Sequence, residues 1–353
     1  MDKTEHICMN NREKVGEYRM TSNRPTMADV AKIADVSKAT VSRVLKGNYP
    51  VSEETRKTVF DAVQKLNYIP SHQASALATG RSNIIGILIT ERFDLFFEDP
   101  TFRTIIRGVL SALSSSPLVP VMLQMTNSEE QRKAIHLFEN GMIDGVIHVS
   151  PWGDTSLLDS MAQRGFPVVV CGQLAPKYQG RRISAVYTDD QVGANLIASY
   201  LKEKTVSRPC TILGDSSQPA SAGRLSGFRD QFPILDSRSR VFLGDWTSET
   251  GKAGVKRFLA DGVVFDSLLC GSDAIARGAI EELHKHGRTV PGDILVTGYD
   301  DAKIAAKDPG ITTIAQPMTD QGIEAVAALT RLLDGGAQEL IELPVKLVVR
   351  QSA

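Results

Sequence analysis

Between Ile84 and Tyr299 the chain alternates short apolar runs with longer amphipathic stretches, and few folds accept that rhythm. The runs are IIGILI (84–89), VPVML (119–123), DGVIHV (144–149), PVVVC (167–171), CTILG (210–214), SLLC (267–270) and ILVTGY (294–299). Each has the length of a strand buried on both faces, and the stretches between them are long enough for helices. That pattern predicts parallel sheets with crossover helices. Seven such runs predict two doubly wound subdomains.

In an open α/β sheet a ligand lies beyond the carboxyl ends of the strands. Those ends can be read directly as Thr90, Ser150, Gly172, Ser272 with Asp273, and Tyr299 with Asp300. A cleft between two such sets offers hydroxyls and carboxylates to a polyol. Arg224, in SAGRLSGF, supplies a planar guanidinium that can grip two hydroxyls, and Trp246, in GDWTSETG, an indole face for the apolar side of a sugar. Each has a plainer reading: a solvated arginine, a core tryptophan, and Asp300, Asp301 or Asp273 as loop caps.

Ahead of this core, MADVAKIADVSKATVSRVLKG (27–47) reads as two short helices joined at Asp35-Val36-Ser37. Val30, Ile33 and Ala34 share one face, and Val41, Val44 and Leu45 repeat the spacing after the turn. With Ser37 as the cap of the second helix, Lys38, Ala39, Ser42, Arg43 and Lys46 fall opposite the apolar stripe. A small, polar, basic face of this kind can enter a major groove. From Arg24 to Gly80 there are eight Lys/Arg against five Asp/Glu, so a chain of net charge −1 concentrates its basic character here. A third helix starts at Ser52 to Thr55 and carries the stripe Val59, Ala62, Val63 and Leu66.

The runs DVAKIADVSKATVSRVLKG, VSEETRKTVFDAVQKLNYIP and ASALATGRSNIIGILI resemble the lactose/galactose repressor (LacI/GalR) family of bacterial transcription regulators, and the likeness continues from about Arg24 to the C-terminal end. It implies an N-terminal all-α helix-turn-helix domain and an α/β core of two doubly wound parallel-sheet subdomains, periplasmic-binding-protein-like. The expected layout is a disordered extension over 1–23, the DNA-binding domain over 24–70, a hinge over 71–82 and a core over 83–353. Subdomain one takes 83–186 and 316–342, and subdomain two takes 187–315 and 343–353. The chain crosses between them near Ala185 to Thr188, Ala315 to Gln316 and Glu342 to Leu343.

The same resemblance implies roles. Lys38, Ala39 and Arg43 would face bases, while Thr40, Ser42, Lys46, Ser52 and Thr55 would contact phosphates. Ala74 and Leu77 would enter the minor groove as a hinge helix, the leucine wedging a base step. Thr90, Gly172, Arg224, Trp246, Ser272 and Asp300 would line the effector pocket. Three departures stand out. Asp35 replaces the family's usual glycine in a turn that needs a left-handed residue, at a cost of about 1 kcal/mol. Ser272 stands where asparagine is frequent, and Gly172 where aspartate is, which implies a different effector or a different pose.

Other classes find less support. There is no GxSxG, HExxH or GxxxxGK[ST], and His6, His72, His136, His148, His284 and His286 are scattered. His284 and His286 are two apart and point in different directions on a helix, and His148 reads as a satisfied buried histidine. Catalysis, a cofactor and a metal are therefore not expected. Cys8, Cys171, Cys210 and Cys270 form no cluster and read as reduced thiols. No apolar run spans a membrane and the N-terminus lacks a signal peptide's core, which predicts a cytoplasmic protein. Translation beginning at Met20 would explain the polar lead, and the end at PVKLVVRQSA, without a heptad helix, predicts a dimer.

The expectation is a repressor of carbohydrate-metabolism genes on double-stranded DNA with a pseudo-palindromic operator, controlled by a sugar or sugar phosphate. The alternative is a sugar-binding protein with a vestigial DNA-binding domain. A carbohydrate kinase would need the phosphate loop that is missing.

Overall fold

The computed structural model describes residues 25–46, 50–68, 81–90, 92, 99–149 and 155–353. The expectations for residues 1–23, Ala74, Leu77, Ser150 and the side chain of Lys46 lie outside the described residues. The chain divides into two compact units, Met1–Gly80 and Arg81–Ala353.

In the first unit, α1 (Met27–Ile33) begins where the Asp29 carboxylate accepts the Thr26 N–H at 2.8 Å and its hydroxyl at 2.7 Å. The turn that follows carries Asp35 at φ +50°, the left-handed conformation the turn requires. Ser37 accepts the Thr40 N–H at 3.1 Å and so caps α2 (Lys38–Lys46). Ser52 caps α3 (Glu53–Leu66) through the Thr55 N–H, and Asn67, left-handed at φ +46°, ends it. Val30, Ala31, Ala34, Val41, Val44, Val59, Ala62 and Tyr68 form the shared core. Ile33, expected on the inner face, is 44% exposed. The buried face of α1 is Val30, Ala31 and Ala34, rotated from the expected stripe, so Ala31 fills the place assigned to Ile33.

The second unit holds two parallel sheets. In the first, β1 (Ile84–Ile89), β2 (Val119–Gln124), β3 (Gly145–His148), β4 (Val168–Cys171), β5 (Ile183–Tyr187) and β11 (Leu340–Glu342) lie in the order β11-β5-β4-β3-β1-β2. Helices α4 (Pro100–Leu113), α5 (Ser128–Glu139), α6 (Ser156–Gln163) and α11 (Met318–Leu333) cover it. Strand alternation sorts the core: Ile85, Ile87 and Ile89 face α4 and α11, while Leu88, Val146 and Val170 face α5 and α6.

The second sheet has the order β7-β6-β8-β9, from β6 (Pro209–Leu213), β7 (Val241–Leu243), β8 (Ser267–Cys270) and β9 (Leu295–Thr297). It packs among α7 (Asp190–Glu203), α8 (Pro219–Gln231), α9 (Ser248–Ala260) and α10 (Asp273–Lys285). A short antiparallel pair, β10 (Thr313–Ala315) with β12 (Lys346–Val348), adjoins it. The chain passes between the two sheets after Tyr187, after Ala315 and after Glu342, so three crossovers join the subdomains. All seven expected runs contain a strand. β5, β7, β10, β11 and β12 were not anticipated; all but β5 have three residues, too few to leave a period.

One further expectation changes. His148 is buried, but its Nε2 has no hydrogen-bond partner, and burial pushes the ring down to about 4, so it is a neutral and incompletely satisfied histidine. Cys171, Cys210 and Cys270 are free and buried. Among the described residues no helix is long and apolar enough to cross a membrane.

Candidate functional site

The reading face of the first unit follows from its core. With Val41 and Val44 turned inward, Lys38, Ala39 and Arg43 are exposed and Ser42 half-buried on α2. Of the hydroxyls assigned to phosphates, all but that of Ser42, which lies midway along α2, sit at helix starts: Thr40 Oγ1 is 2.9 Å from Ser37 Oγ, and Thr55 Oγ1 is 2.8 Å from Ser52 Oγ. Helix N-termini present unpaired N–H groups and the positive end of the helix dipole, the combination that suits a phosphate.

The second candidate site centres on Arg224 of α8, which is 6% exposed. Its Nε donates to Asp190 Oδ1 at 2.8 Å, one Nη donates to the Gly271 carbonyl, and the other lies 3.5 Å from Asp300 Oδ1. The guanidinium carbon lies 3.8 Å from the Tyr299 ring centroid and 5.1 Å from that of Trp246. Burial alone would disfavour the charge, but Asp190 and Asp300 together outweigh it and hold Arg224 protonated.

The glycines here make room. A Cβ on Gly214, just beyond β6, would overlap the Trp246 ring, and one on Gly271, just beyond β8, would lie 3.0 Å from Cζ3. Trp246 therefore packs over bare backbone, its indole N–H donating to Gln218 Oε1 at 2.6 Å.

Asp300 stands at φ +99° and Asp301 at φ +55°, two successive left-handed non-glycine residues. Backbone strain of this kind persists where surrounding bonds fix it. Arg350 holds Asp301 at 2.6 Å, and Gln316 Nε2 donates to Asp300 Oδ1 at 2.7 Å. Gln316 in turn accepts from Thr188 Oγ1 at 2.6 Å. Burial, reinforced by Asp99 and opposed by Arg224, pushes Asp300 up to about 6.

The predicted residues divide accordingly. Arg224, Trp246 and Asp300 come together. Ser272 is buried beside them in sequence order after Gly271, and its hydroxyl accepts the Ile275 N–H at 3.2 Å as the cap of α10. Asp273 is fully buried and structural, its carboxylate accepting from Ala302 N and Thr313 Oγ1, each at 2.7 Å. Thr90 and Gly172 stand at the carboxyl ends of β1 and β4 in the other subdomain. Asp99, the cap of α4, is a half-buried carboxylate that the sequence reading did not select, and burial pushes its carboxyl above the ordinary range. Asp190, Gln218 and Gln316 were missed as well. Asp99-Pro100 and Asp189-Asp190 read as ordinary helix starts, and that signal hides any second role.

Comparison with known proteins places this geometry. The model for bacterial regulatory proteins of the lacI family matches residues 26–71, and the periplasmic binding protein-like domain matches residues 198–353. The HTH-type transcriptional regulator CelR of Thermobifida fusca is 30% identical over 337 residues, covering 93% of this chain and 98% of its own. The solved transcriptional regulator CelR-cellobiose complex aligns with a TM-score of 0.70 at 28% identity, over 94% of this chain and all of that one. The Lac repressor dimer bound to operator and the anti-inducer ONPF aligns with a TM-score of 0.78 at 25% identity, over 94% and 99%. With an exposed reading helix on a packed three-helix core, and a likeness running through both units, the chain belongs to the lacI family of bacterial regulatory proteins and is a DNA-binding transcriptional regulator.

Proposed function

We propose that this regulator represses genes of carbohydrate metabolism as a cytoplasmic homodimer on a pseudo-palindromic operator, and that a sugar held between the core subdomains sets its operator affinity. The observation that carries the reading is Arg224, a buried guanidinium between two carboxylates and two aromatic rings at the carboxyl ends of the second sheet. Such a constellation recognises hydroxyls by charge-assisted hydrogen bonds and covers an apolar sugar face with an indole. The relatives solved with cellobiose and with an anti-inducer and operator support the same pairing of ligand and DNA.

Within this reading Lys38, Ala39 and Arg43 meet base edges, and Thr40, Ser42, Lys46, Ser52 and Thr55 meet phosphates. Ala74 and Leu77 of each copy enter the minor groove, and Thr90, Gly172 and Ser272 complete the pocket with Arg224, Trp246 and Asp300. The two half-sites follow from the two-fold symmetry of a dimer. Effector binding then acts at a distance, as a coupling free energy between pocket and reading helices. A sugar-binding protein with an idle N-terminal domain is less well supported, because the first unit keeps a complete core and an exposed basic face.

A gel-shift titration of DNA from upstream of the protein's own gene, with and without a panel of sugars, tests the proposal. Retardation that one sugar strengthens or abolishes is expected. Retardation indifferent to every sugar refutes sugar control, and sugar binding without any retardation favours the binding-protein reading.

A further inference from the structure

If Arg224 marks the effector site, as the sugar reading has it, then whatever fixes the plane of its guanidinium decides how it meets a ligand. Its Nε donates to Asp190 at 2.8 Å and one Nη donates to the Gly271 carbonyl. An arginine carries further N–H groups beyond those two, and they remain for the cleft. Bonds at the edge of a planar group do not by themselves set its tilt. A flat surface against its face does, and Tyr299 supplies one: the guanidinium carbon lies over the ring, 3.8 Å from its centroid.

Tyr299 is fully buried among Ala194, Ile197, Phe228 and Ile314. Its hydroxyl has no hydrogen-bond partner. A buried tyrosine ordinarily finds one, and an unpaired buried hydroxyl costs stability, so the fold gains from the ring and not from the oxygen. The far end of the ring meets α7. A Cβ on Gly193 would overlap Tyr299 Oη and lie 3.0 Å from Cζ, so glycine at this position leaves the ring its place. The main chain is fixed separately, because the Tyr299 carbonyl accepts the Asp273 N–H at 2.9 Å and the Asp300 N–H donates to the Ile314 carbonyl at 2.8 Å. Asp190 opens the same helix, so α7 meets the guanidinium at its edge directly and at its face through the ring.

We propose that Tyr299 is a positioning residue for effector recognition, its ring setting the plane of Arg224, and that Gly193 is required because a side chain there would push that ring aside. The hydroxyl is dispensable to this role.

Calorimetric titration of the full chain with glucose, ribose and cellobiose reads the binding side. The Arg224 Nε–H signal in an arginine side-chain NMR spectrum, assigned by its loss in Arg224→Lys, reads the guanidinium whether or not a sugar binds. Tyr299→Leu is expected to shift and broaden that signal and to weaken the sugar that binds about tenfold or more. Tyr299→Phe, the conservative variant, is expected to keep the signal in place and the affinity within about twofold. Gly193→Ala is expected to move the signal and weaken binding, and its combination with Tyr299→Phe to regain several-fold of that loss, since the overlapping oxygen is gone. A glycine needed only for the helix would show no such rescue. Parental affinity and signal in Tyr299→Leu overturn the proposal, as does a loss in Tyr299→Phe equal to that in Tyr299→Leu. Absence of rescue overturns the role of Gly193. Should Tyr299→Leu fail to fold, Gly193→Ala and its rescue decide. If none of the sugars binds the parent protein, the sugar reading of the cleft fails, and the Arg224 signal alone decides whether Tyr299 positions the guanidinium.

Discussion

Gln316 donates to the Asp300 carboxylate at 2.7 Å while accepting from the Thr188 hydroxyl at 2.6 Å. Thr188 follows β5 at the first crossover, and Gln316 follows β10 at the second. One amide therefore joins two of the three inter-subdomain connections to a carboxylate of the candidate pocket. Replacing it by leucine leaves a buried carboxylate short of a donor, a loss of about 1–3 kcal/mol. Gln316→Leu is expected to lower the urea midpoint accordingly and to blunt the sugar response in a gel shift more than it weakens sugar binding. Equal losses in binding and response would argue that Gln316 only shapes the pocket.

A pH dependence follows from the same carboxylate. The Asp300 carboxyl is pushed from its ordinary 3.8 up to about 6 by burial, so the folded state binds a proton more tightly than the unfolded chain does. Stability from this group is full at low pH and declines as pH rises from about 4 to about 6, by up to about 3 kcal/mol for an isolated site. Asp99, also raised by burial, acts in the same direction, and Arg224, which stays charged, limits both. Urea melts across that interval should show a shallower decline in Asp300→Asn than in the parent. Identical slopes would place the proton uptake elsewhere.

Arg43 is exposed on α2, on the side away from Val41 and Val44. Arg43→Ala is expected to weaken operator binding by about 1–3 kcal/mol while leaving sugar affinity nearly unchanged. Competition against scrambled operator measures the specific part. An unaltered preference for operator over scrambled DNA would remove Arg43 from base readout.

Much of this architecture is legible in the sequence because it rests on short-range patterns. The strands of the core announce themselves as apolar runs, and Asp35 identifies the turn that its φ of +50° confirms. Ile33 was misjudged because a helix of seven residues has no long stripe to fix its rotation, and the packing of α2 and α3 decides which side is buried. The pocket was half legible. Arg224 and Trp246 are singled out by the family resemblance, since by themselves they read equally as a solvated arginine and a core tryptophan. Asp99, Asp190 and Gln316 acquire meaning only when three crossovers bring distant segments together, and nothing in their local sequence distinguishes them from helix caps and loop residues.

Asp35 also offers a stability test confined to the first unit. A non-glycine residue in the left-handed region is strained, and the position lies in a turn rather than a regular element. Asp35→Gly relieves the strain but widens the unfolded ensemble, so the gain is expected to stay within about 1 kcal/mol. The melting of residues 24–70 within the full chain, followed by amide exchange on α1 and α2, would register slower opening. Faster opening would mean that the Asp35 side chain contributes more to the turn than its backbone strain removes.

Trp246 provides the most direct reporter on the pocket. Its ring packs over Gly214, where an added Cβ would overlap it, and its indole N–H is fixed by Gln218 at 2.6 Å. Gly214→Ala must therefore displace the ring, since the obstructing atom would be attached to backbone just beyond a buried strand. A displaced indole loses its bond to Gln218 and its place near Arg224, 5.1 Å from the ring centroid. The expected result is a fluorescence change assigned to position 246 and sugar affinity reduced about tenfold or more, with operator affinity retained in the absence of sugar. Gln218→Leu should reproduce the fluorescence change in milder form, because it removes the bond but not the space. If Gly214→Ala instead binds sugar normally with an unchanged spectrum, the indole does not form a wall of the pocket, and its packing against the α9 and α10 side of the core is its whole role.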